Sequence, residues 1–351
     1  AATGLGNGPA WNVLHVERRS LSTNCPGPGG ARTPEPFSTI HREELLKAEG
    51  ADAREAWQEI TAEAQRQVDS SAWKEGIMKD FNIDSFLYSE VLSHRTLACG
   101  LCNSIGGKLM SNQANDGGVD YSRILLSAFK DDPTICSAVA ADMQRFKVVD
   151  PACDGLLGVY LFYKGIQAVA CARVSHYFWT NYGEDGKLVA KLIQSEVADV
   201  YGVDIHPGAS LGRGLTIDHA TGVTIGETAV LGKDVYLMHD VTLGATGTST
   251  DFDRHPKIGD GAFLGAKCTI LGNIQIGKGA TVAASALVNK AVPDGHLAVG
   301  VPARIIPPRD PIVPPKEIRV PSDHARGSVD GLGRDGVSVG AEPKVTINAE
   351  A

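Results

Sequence analysis

Ile225-Gly-Glu-Thr-Ala-Val-Leu231-Gly-Lys-Asp-Val-Tyr-Leu237-Met-His-Asp-Val-Thr-Leu243-Gly places an aliphatic residue at every sixth position. The same ladder starts upstream at Ile205, Leu211 and Ile217, and resumes downstream at Ile258, Leu264, Ile270, Ile276, Val282 and Val288. A period of six fits neither an α-helix nor an ordinary strand. It does fit a coil of three short strands per turn, each turn stacking its aliphatic rung on the next. The ladder therefore predicts a left-handed parallel β-helix over 201–306. Small or aliphatic residues two positions before the rungs, such as Ala209, Val223, Ala229, Ala262, Cys268 and Ala286, suit the corners of such a prism. Glycine after a rung, as in Leu211-Gly212, Ile225-Gly226 and Leu231-Gly232, suits tight turns and close stacking.

Two interruptions carry the polar chemistry. The slip between Ile217 and Ile225 holds Asp218-His-Ala-Thr-Gly222, and the gap after Leu243 holds a polar excursion, 245–257, that includes Arg254 and His255. Loops protruding from a rigid scaffold are frequent places for sites. Asp204 and His219 are fifteen residues apart, close to one coil of three hexapeptides. Their side chains are expected to meet across adjacent turns, either as a structural hydrogen bond or as a carboxylate that orients a catalytic imidazole. His206, His239 and His296 are expected to serve packing or the surface.

Outside the ladder the chain changes character. Residues 1–37, with Cys25-Pro-Gly-Pro-Gly-Gly, read as a disordered N-terminal segment. Arg18 and Arg19 beside Ser20, Ser22 and Thr23 resemble an organellar targeting remnant, against which Glu17 argues. Residues 38–200 show apolar residues at three-and-four spacing and predict a helical domain. Its expected helices span 55–67, 85–105, 124–129, 133–146, 156–179 and 188–200, with Gly183-Glu-Asp-Gly186 as a turn. Val299-Gly-Val-Pro-Ala-Arg-Ile305 is expected to close the β-helix, and 307–351 to be a flexible tail. The expected fold class is thus an α+β two-domain chain, a helical domain followed by the β-helix.

Composition narrows the partners. The net charge of −8 over 351 residues, with no basic tract, argues against nucleic acid. No apolar run of about 18 residues predicts a membrane span. Seven cysteines without a disulfide-dense pattern fit a reducing, cytoplasmic setting. Cys99-Gly-Leu-Cys102 stands alone in an apolar helical stretch, without the second ligand pair that a metal or redox role calls for.

Several segments together resemble the serine O-acetyltransferases of cysteine biosynthesis, a hexapeptide-repeat acyltransferase family. They are Trp57-Gln-Glu-Ile-Thr-Ala-Glu-Ala64, Asp150-Pro-Ala, Tyr163-Lys-Gly165, Asp204-Ile-His-Pro207, Asp218-His-Ala-Thr-Gly-Val-Thr-Ile-Gly-Glu-Thr-Ala229, Asp253-Arg-His-Pro-Lys-Ile258 and Gly300-Val-Pro-Ala-Arg304. The resemblance covers about 55–306. It implies that His219 is the general base for the L-serine hydroxyl and Asp204 its partner. Asp150 and Asp218 would hold the serine ammonium, and Arg254 and His255 its carboxylate or the developing oxyanion. Acetyl-CoA would be the cosubstrate, lying along the β-helix near Gly244-Ala245-Thr246-Gly247, where the family often has Gly-Gly-Thr-Gly; no metal is implied. Homotrimers pairing into homohexamers and inhibition by L-cysteine are implied as well. A further implied partner, O-acetylserine sulfhydrylase, is reached in the family through a terminal isoleucine, whereas this sequence ends Ile347-Asn-Ala-Glu-Ala351. Two other readings stay open: an acetyltransferase for another hydroxyl acceptor, and a trimeric zinc carbonic anhydrase on the same β-helix, with ligands drawn from His206, His219, His239 and His255.

Overall fold

The computed structural model describes residues 49–70, 80–111, 119–248 and 250–308. The segment 1–37 with its Arg18 and Arg19, and the tail beyond Pro308, lie outside the described residues.

Helices come first: α1 (Ala51–Asp69), α2 (Ile83–Leu87), α3 (Leu97–Ser111), α4 (Tyr121–Asp131), α5 (Thr134–Val149), α6 (Leu156–Phe162), α7 (Lys164–Asn181) and α8 (Gly183–Tyr201). In α1 the buried Ala53, Ala56, Trp57, Ile60 and Ala64 recur at three-and-four spacing and form one face. In α7 every residue from Gly165 to Ser175 is buried, as expected of a helix surrounded on all sides.

Helix ends differ by a few residues from the sequence expectation throughout, and three larger differences each have a local reason. The helix expected over 85–105 breaks after a π-helical turn at Tyr88–Leu92 and restarts at Leu97. Thr96 caps the restart, its Oγ1 accepting from Cys99 N–H at 3.1 Å, while Trp57 Nε1 donates to the His94 carbonyl at 3.3 Å. The helix expected over 156–179 breaks at Tyr163, whose ψ of 96° is extended. Gly165 there lies so close to the Ile217 carbonyl that a Cβ would collide with it. Carbonyls freed by the break, those of Tyr160 and Leu161, accept from Gln167 Nε2 at 3.0 and 3.2 Å. Finally, 183–186 is no separate turn but the start of α8. Gly183 at φ +57° makes the reversal, and Glu184 and Asp185 suit a helix N-terminus.

The strands wind into a three-sided parallel coil. The first side holds β1 (Val203–Ile205), β4 (Val223–Ile225), β7 (Thr242–Gly244), β10 (Thr269–Leu271) and β13 (Leu287–Val288). The second holds β2 (Ser210–Leu211), β5 (Val230–Leu231), β8 (Lys257–Ile258) and β11 (Gln275–Ile276). The third holds β3 (Thr216–Ile217), β6 (Tyr236–Leu237), β9 (Phe263–Leu264), β12 (Thr281–Val282) and β14 (Leu297–Val299), closed by the antiparallel edge strand β15 (Arg304–Ile306). The sixth-residue ladder is the register itself. Ile205, Ile225, Leu243, Ile270 and Val288 stack on one side. Leu211, Leu231, Ile258 and Ile276 stack on the next, and Ile217, Leu237, Leu264 and Val282 on the third. All but Leu211 are buried. At about 1.5–3 kcal/mol for burying each aliphatic side chain, the column is the main source of the coil's stability.

One buried ion pair joins the helices to the first coil. Arg173 of α7 grips Asp142 of α5 through two bonds of 2.9 Å. It also donates to the carbonyls of Leu211 and Gly212 at 2.9 and 2.6 Å, while Asp142 Oδ1 accepts the Leu215 N–H at 2.8 Å. The turn between β2 and β3 is thereby held against α5 and α7.

Candidate active site

The corner between the third and first sides is where the two-residue slip falls. Asp218 still makes the ladder bond, donating its N–H to Leu237 O at 2.8 Å, but His219 and Ala220 then take φ of +57° and +60°. Two consecutive non-glycine residues in the left-handed region cost about 1–3 kcal/mol each. The result is that Ala220 points into the core while the His219 side chain stands out, 70% exposed. Its Nε2 is 3.5 Å from Asp218 Oδ2. The same Oδ2 accepts from the Tyr236 hydroxyl at 3.0 Å.

Asp150 reaches this corner from the end of α5. Its Oδ1 accepts from Ala152 N–H at 2.9 Å, and the Tyr163 hydroxyl donates to its Oδ2 at 3.4 Å. Burial, then the Asp150 charge, pushes the Tyr163 phenol up to about 12. Burial also raises Tyr236, with Asp218 next and Asp150 and Tyr163 behind it. Both phenols therefore stay protonated donors at neutral pH. Asp218 thus contacts both His219 and Tyr236, and the Asp150 charge, bonded to Tyr163, also reaches the Tyr236 phenol. His239 closes one side, its ring edge-on to His219 at 5.8 Å between centroids, and Lys164 Nζ donates to the Thr221 hydroxyl beside it.

A second cluster occupies the corner between the first and second sides, where the excursion after β7 returns. His255 is buried there. Thr228 N–H donates to its Nδ1 at 3.2 Å, and the Thr228 hydroxyl, which accepts the N–H groups of Arg254 and His255 at 3.1 Å, lies 2.9 Å from the same Nδ1. An Nδ1 that accepts leaves the ring proton on Nε2. Burial first, then Arg254 and Lys257, lower the His255 pKa, so the ring is a neutral Nε2–H donor. Lys257 Nζ pins the returning chain through Asp253 Oδ1 at 2.5 Å, Thr228 O at 2.6 Å and His255 O at 3.0 Å. The Arg254 guanidinium is exposed, with no ion-pair partner among the described residues. His206 sits at the same corner, its pKa lowered chiefly by burial, its ring edge-on to Trp179.

Within the chain Asp204 does not pair with His219, contrary to the expectation from their spacing. It points outward from β1, opposite Thr224, and its Oδ1 accepts from Gln194 Nε2 at 2.7 Å. Their separation nearly matches one coil, but coil position alone leaves them in different places: Asp204 in the middle of the first side, His219 at a corner. Gly244, Ala245, Thr246 and Gly247 leave β7 toward the second cluster, with Gly247 at φ +76° and Thr246 against Gly272 of the following coil. Thr228, Tyr236 and Gln194 are not singled out by the sequence, and Tyr163 enters there only as the start of the segment Tyr163-Lys-Gly165, with no role. Tyr236 had a signal, since it and Phe263 are the aromatics that directly precede a rung. The described cysteines are free thiols, and Cys102 is fully buried with its pKa raised by that burial.

A helical domain leading into a hexapeptide coil, with an exposed histidine beside carboxylates at one corner, defines a hexapeptide-repeat acyltransferase. A family model described as serine acetyltransferase, N-terminal, matches residues 56–171, and one described as bacterial transferase hexapeptide (six repeats) matches 255–290. Probable serine acetyltransferase 1 of Oryza sativa subsp. japonica is 43% identical over 260 residues, covering 73% of this chain and 80% of that protein. Soybean serine acetyltransferase complexed with serine superposes with a TM-score of 0.64 at 41% identity, covering 73% of this chain and 99% of that one. The serine acetyltransferase of Brucella abortus strain S19 in complex with coenzyme A does so with a TM-score of 0.64 at 34% identity, covering 72% and 95%. The chain belongs to the serine acetyltransferase family, and is an acyltransferase. Family membership sets aside the zinc carbonic anhydrase reading.

Proposed function

We propose that this chain transfers the acetyl group of acetyl-CoA to the hydroxyl of L-serine, with His219 as general base. The observation that carries this reading is the pairing of an outward-standing His219 with the Asp150–Asp218 carboxylates. An ammonium held by those carboxylates would leave the serine hydroxyl beside the imidazole. His219 takes the hydroxyl proton as the oxygen attacks the thioester carbonyl. The tetrahedral oxyanion then collapses, and the leaving CoA sulfur takes the proton back from the imidazolium. No covalent acetyl-enzyme is required.

The serine carboxylate calls for cations and N–H donors, which Arg254 and the His255 Nε2–H supply. These stand at a different corner of the same coil, which supports a homotrimer whose corners meet between chains, one giving Asp150, Asp218 and His219 and its neighbour Arg254 and His255. Asp204, on the side joining the two corners, would then support a neighbour's His219. Acetyl-CoA would run along that boundary past Gly244–Gly247. Pairing of two trimers through the helical domains would give a hexamer. L-Cysteine presents the same ammonium and carboxylate as serine, so the same groups would bind it as an inhibitor.

A thiol-release assay with acetyl-CoA and L-serine, homoserine or sugars, with L-cysteine added, tests the reading. CoA release with L-serine, suppressed by L-cysteine and abolished in an intact His219→Ala oligomer, is the expected result. Equal turnover with a sugar, or near-normal turnover of His219→Ala, overturns it.

A further inference from the structure

Asp218 Oδ2 is shared. The Tyr236 hydroxyl donates to it at 3.0 Å, while His219 Nε2 stands off at 3.5 Å. We propose that Tyr236 is a positioning residue for the general base: by occupying Oδ2 of Asp218, its phenol keeps that carboxylate from closing on His219, leaving the imidazole free to take the substrate proton. The inference rests on the reading of His219 as the base.

The phenol is well placed and well held. Tyr236 lies on the outer face of β6, and its ring stacks on Phe263 of the next coil at 5.1 Å and 21° between planes. Its neighbours in β3 and β9, Thr216 and Phe263, are in register beside it. Burial and the nearby carboxylates hold it protonated, so it can only donate toward Asp218. Among the described residues, few charged or titratable groups face His219. Asp218 and Tyr236 are in contact as described, His239 is edge-on from the coil above, and Asp150 with Tyr163 approach from the helices. Lys164 is engaged with the Thr221 hydroxyl.

A carboxylate oxygen that already accepts a hydrogen bond attracts a neighbouring imidazolium less. Removing the phenol hydroxyl should therefore let Asp218 close on His219, favour the protonated ring and leave less free base at a given pH. Tyr236→Phe removes the hydroxyl and keeps the ring that stacks on Phe263. Phe263→Leu removes the stack and keeps the hydroxyl.

The test is the titration of the His219 ring followed by NMR on the intact oligomer labelled with ¹³C-histidine, without substrate, alongside the acid limb of kcat/KM for L-serine. For Tyr236→Phe the ring titration and the acid limb are both expected to move to higher pH by about half a unit, roughly a threefold gain in proton affinity. Phe263→Leu is expected to leave the ring titration in place. No movement in Tyr236→Phe, or equal movement in both variants, overturns the proposal, since the effect would then be absent or due to packing. The ring titration is read whether or not serine is acetylated, so failure of the functional reading shows separately, as no CoA release by the wild type.

Discussion

The imidazole of His255 lies against the α-carbon of Gly226, in space that a side chain at position 226 would enter. The glycine that follows a rung here makes room for a neighbouring coil's histidine as well as a turn. Gly226→Ala should displace the ring from Thr228 and swing its Nε2–H away from the position proposed for the serine carboxylate. A displacement of about 1 Å can cost up to a hundredfold. The expected outcome is a kcat/KM for L-serine lowered at least about tenfold with an unchanged circular dichroism spectrum; kinetics within about twofold of wild type would mean that His255 does not meet the substrate.

Acid should loosen the same corner. Burial and the cations Arg254 and Lys257 depress His255, and burial depresses His206. A histidine whose folded pKa lies below its unfolded value of about 6.5 is protonated first in the unfolded chain. Its contribution to stability is therefore complete above that pH and is lost as pH falls toward the folded value. Protonation would also end the acceptance of the Thr228 N–H by Nδ1. Urea midpoints measured from pH 7.5 to 5 should fall with acid in the wild type and fall less steeply in His255→Gln, with His206 supplying the remaining slope. Parallel curves for the two proteins would remove His255 from this account.

The helical domain should matter to the placement of His219 through one glycine. Gly165 lets the start of α7 approach the Ile217 carbonyl, one residue before Asp218. Gly165→Ala cannot be accommodated without moving either α7 or the strand that leads into Asp218 and His219. Thermal denaturation should drop and kcat should fall more than the KM for L-serine changes, because the strand carries His219 while the fold of the remaining coils is untouched. An active enzyme with wild-type stability would show that the two elements separate freely.

The coil was legible because its signal is repeated. Every third rung stacks on the one before, so thirteen rungs repeat one statement, and a slip of two at Ile217 does not obscure it. The helix breaks at Ser93–Thr96 and Tyr163 were not legible, since apolar spacing runs through both. What ends those helices is tertiary: Trp57 reaching the His94 carbonyl, and Gly165 meeting Ile217 O. For the candidate site, the short motifs pick out Asp150, Asp218, His219, Arg254 and His255, but cannot say at which corner each stands. Counting residues brought Asp204 near His219 on paper, whereas the outward direction of its side chain from β1 takes it to Gln194. Tyr236 was missed because a tyrosine on a strand face has no fixed partner until the neighbouring turn places Asp218 over it.

The Asp142–Arg173 pair predicts a cost that depends on which partner is lost. Both side chains are buried, and between them they satisfy the Leu211 and Gly212 carbonyls and the Leu215 N–H. Asp142→Ala leaves a buried guanidinium without its counter-charge and the Leu215 N–H without an acceptor. Arg173→Met leaves a buried carboxylate and two carbonyls unserved. Each single change is expected to cost about 3–5 kcal/mol in urea denaturation, because an uncompensated buried charge is costlier than the pair is stabilising. Asp142→Leu with Arg173→Met removes both charges at once and should cost clearly less than the sum of the singles, the remainder reflecting the orphaned backbone groups. Because the held turn runs directly into β3 and then Asp218, the single variants should also lose turnover below their melting temperatures. Additive singles, each costing under about 1 kcal/mol, would show that the pair does not clasp the helices to the coil and that the corner carrying His219 is set by the ladder alone.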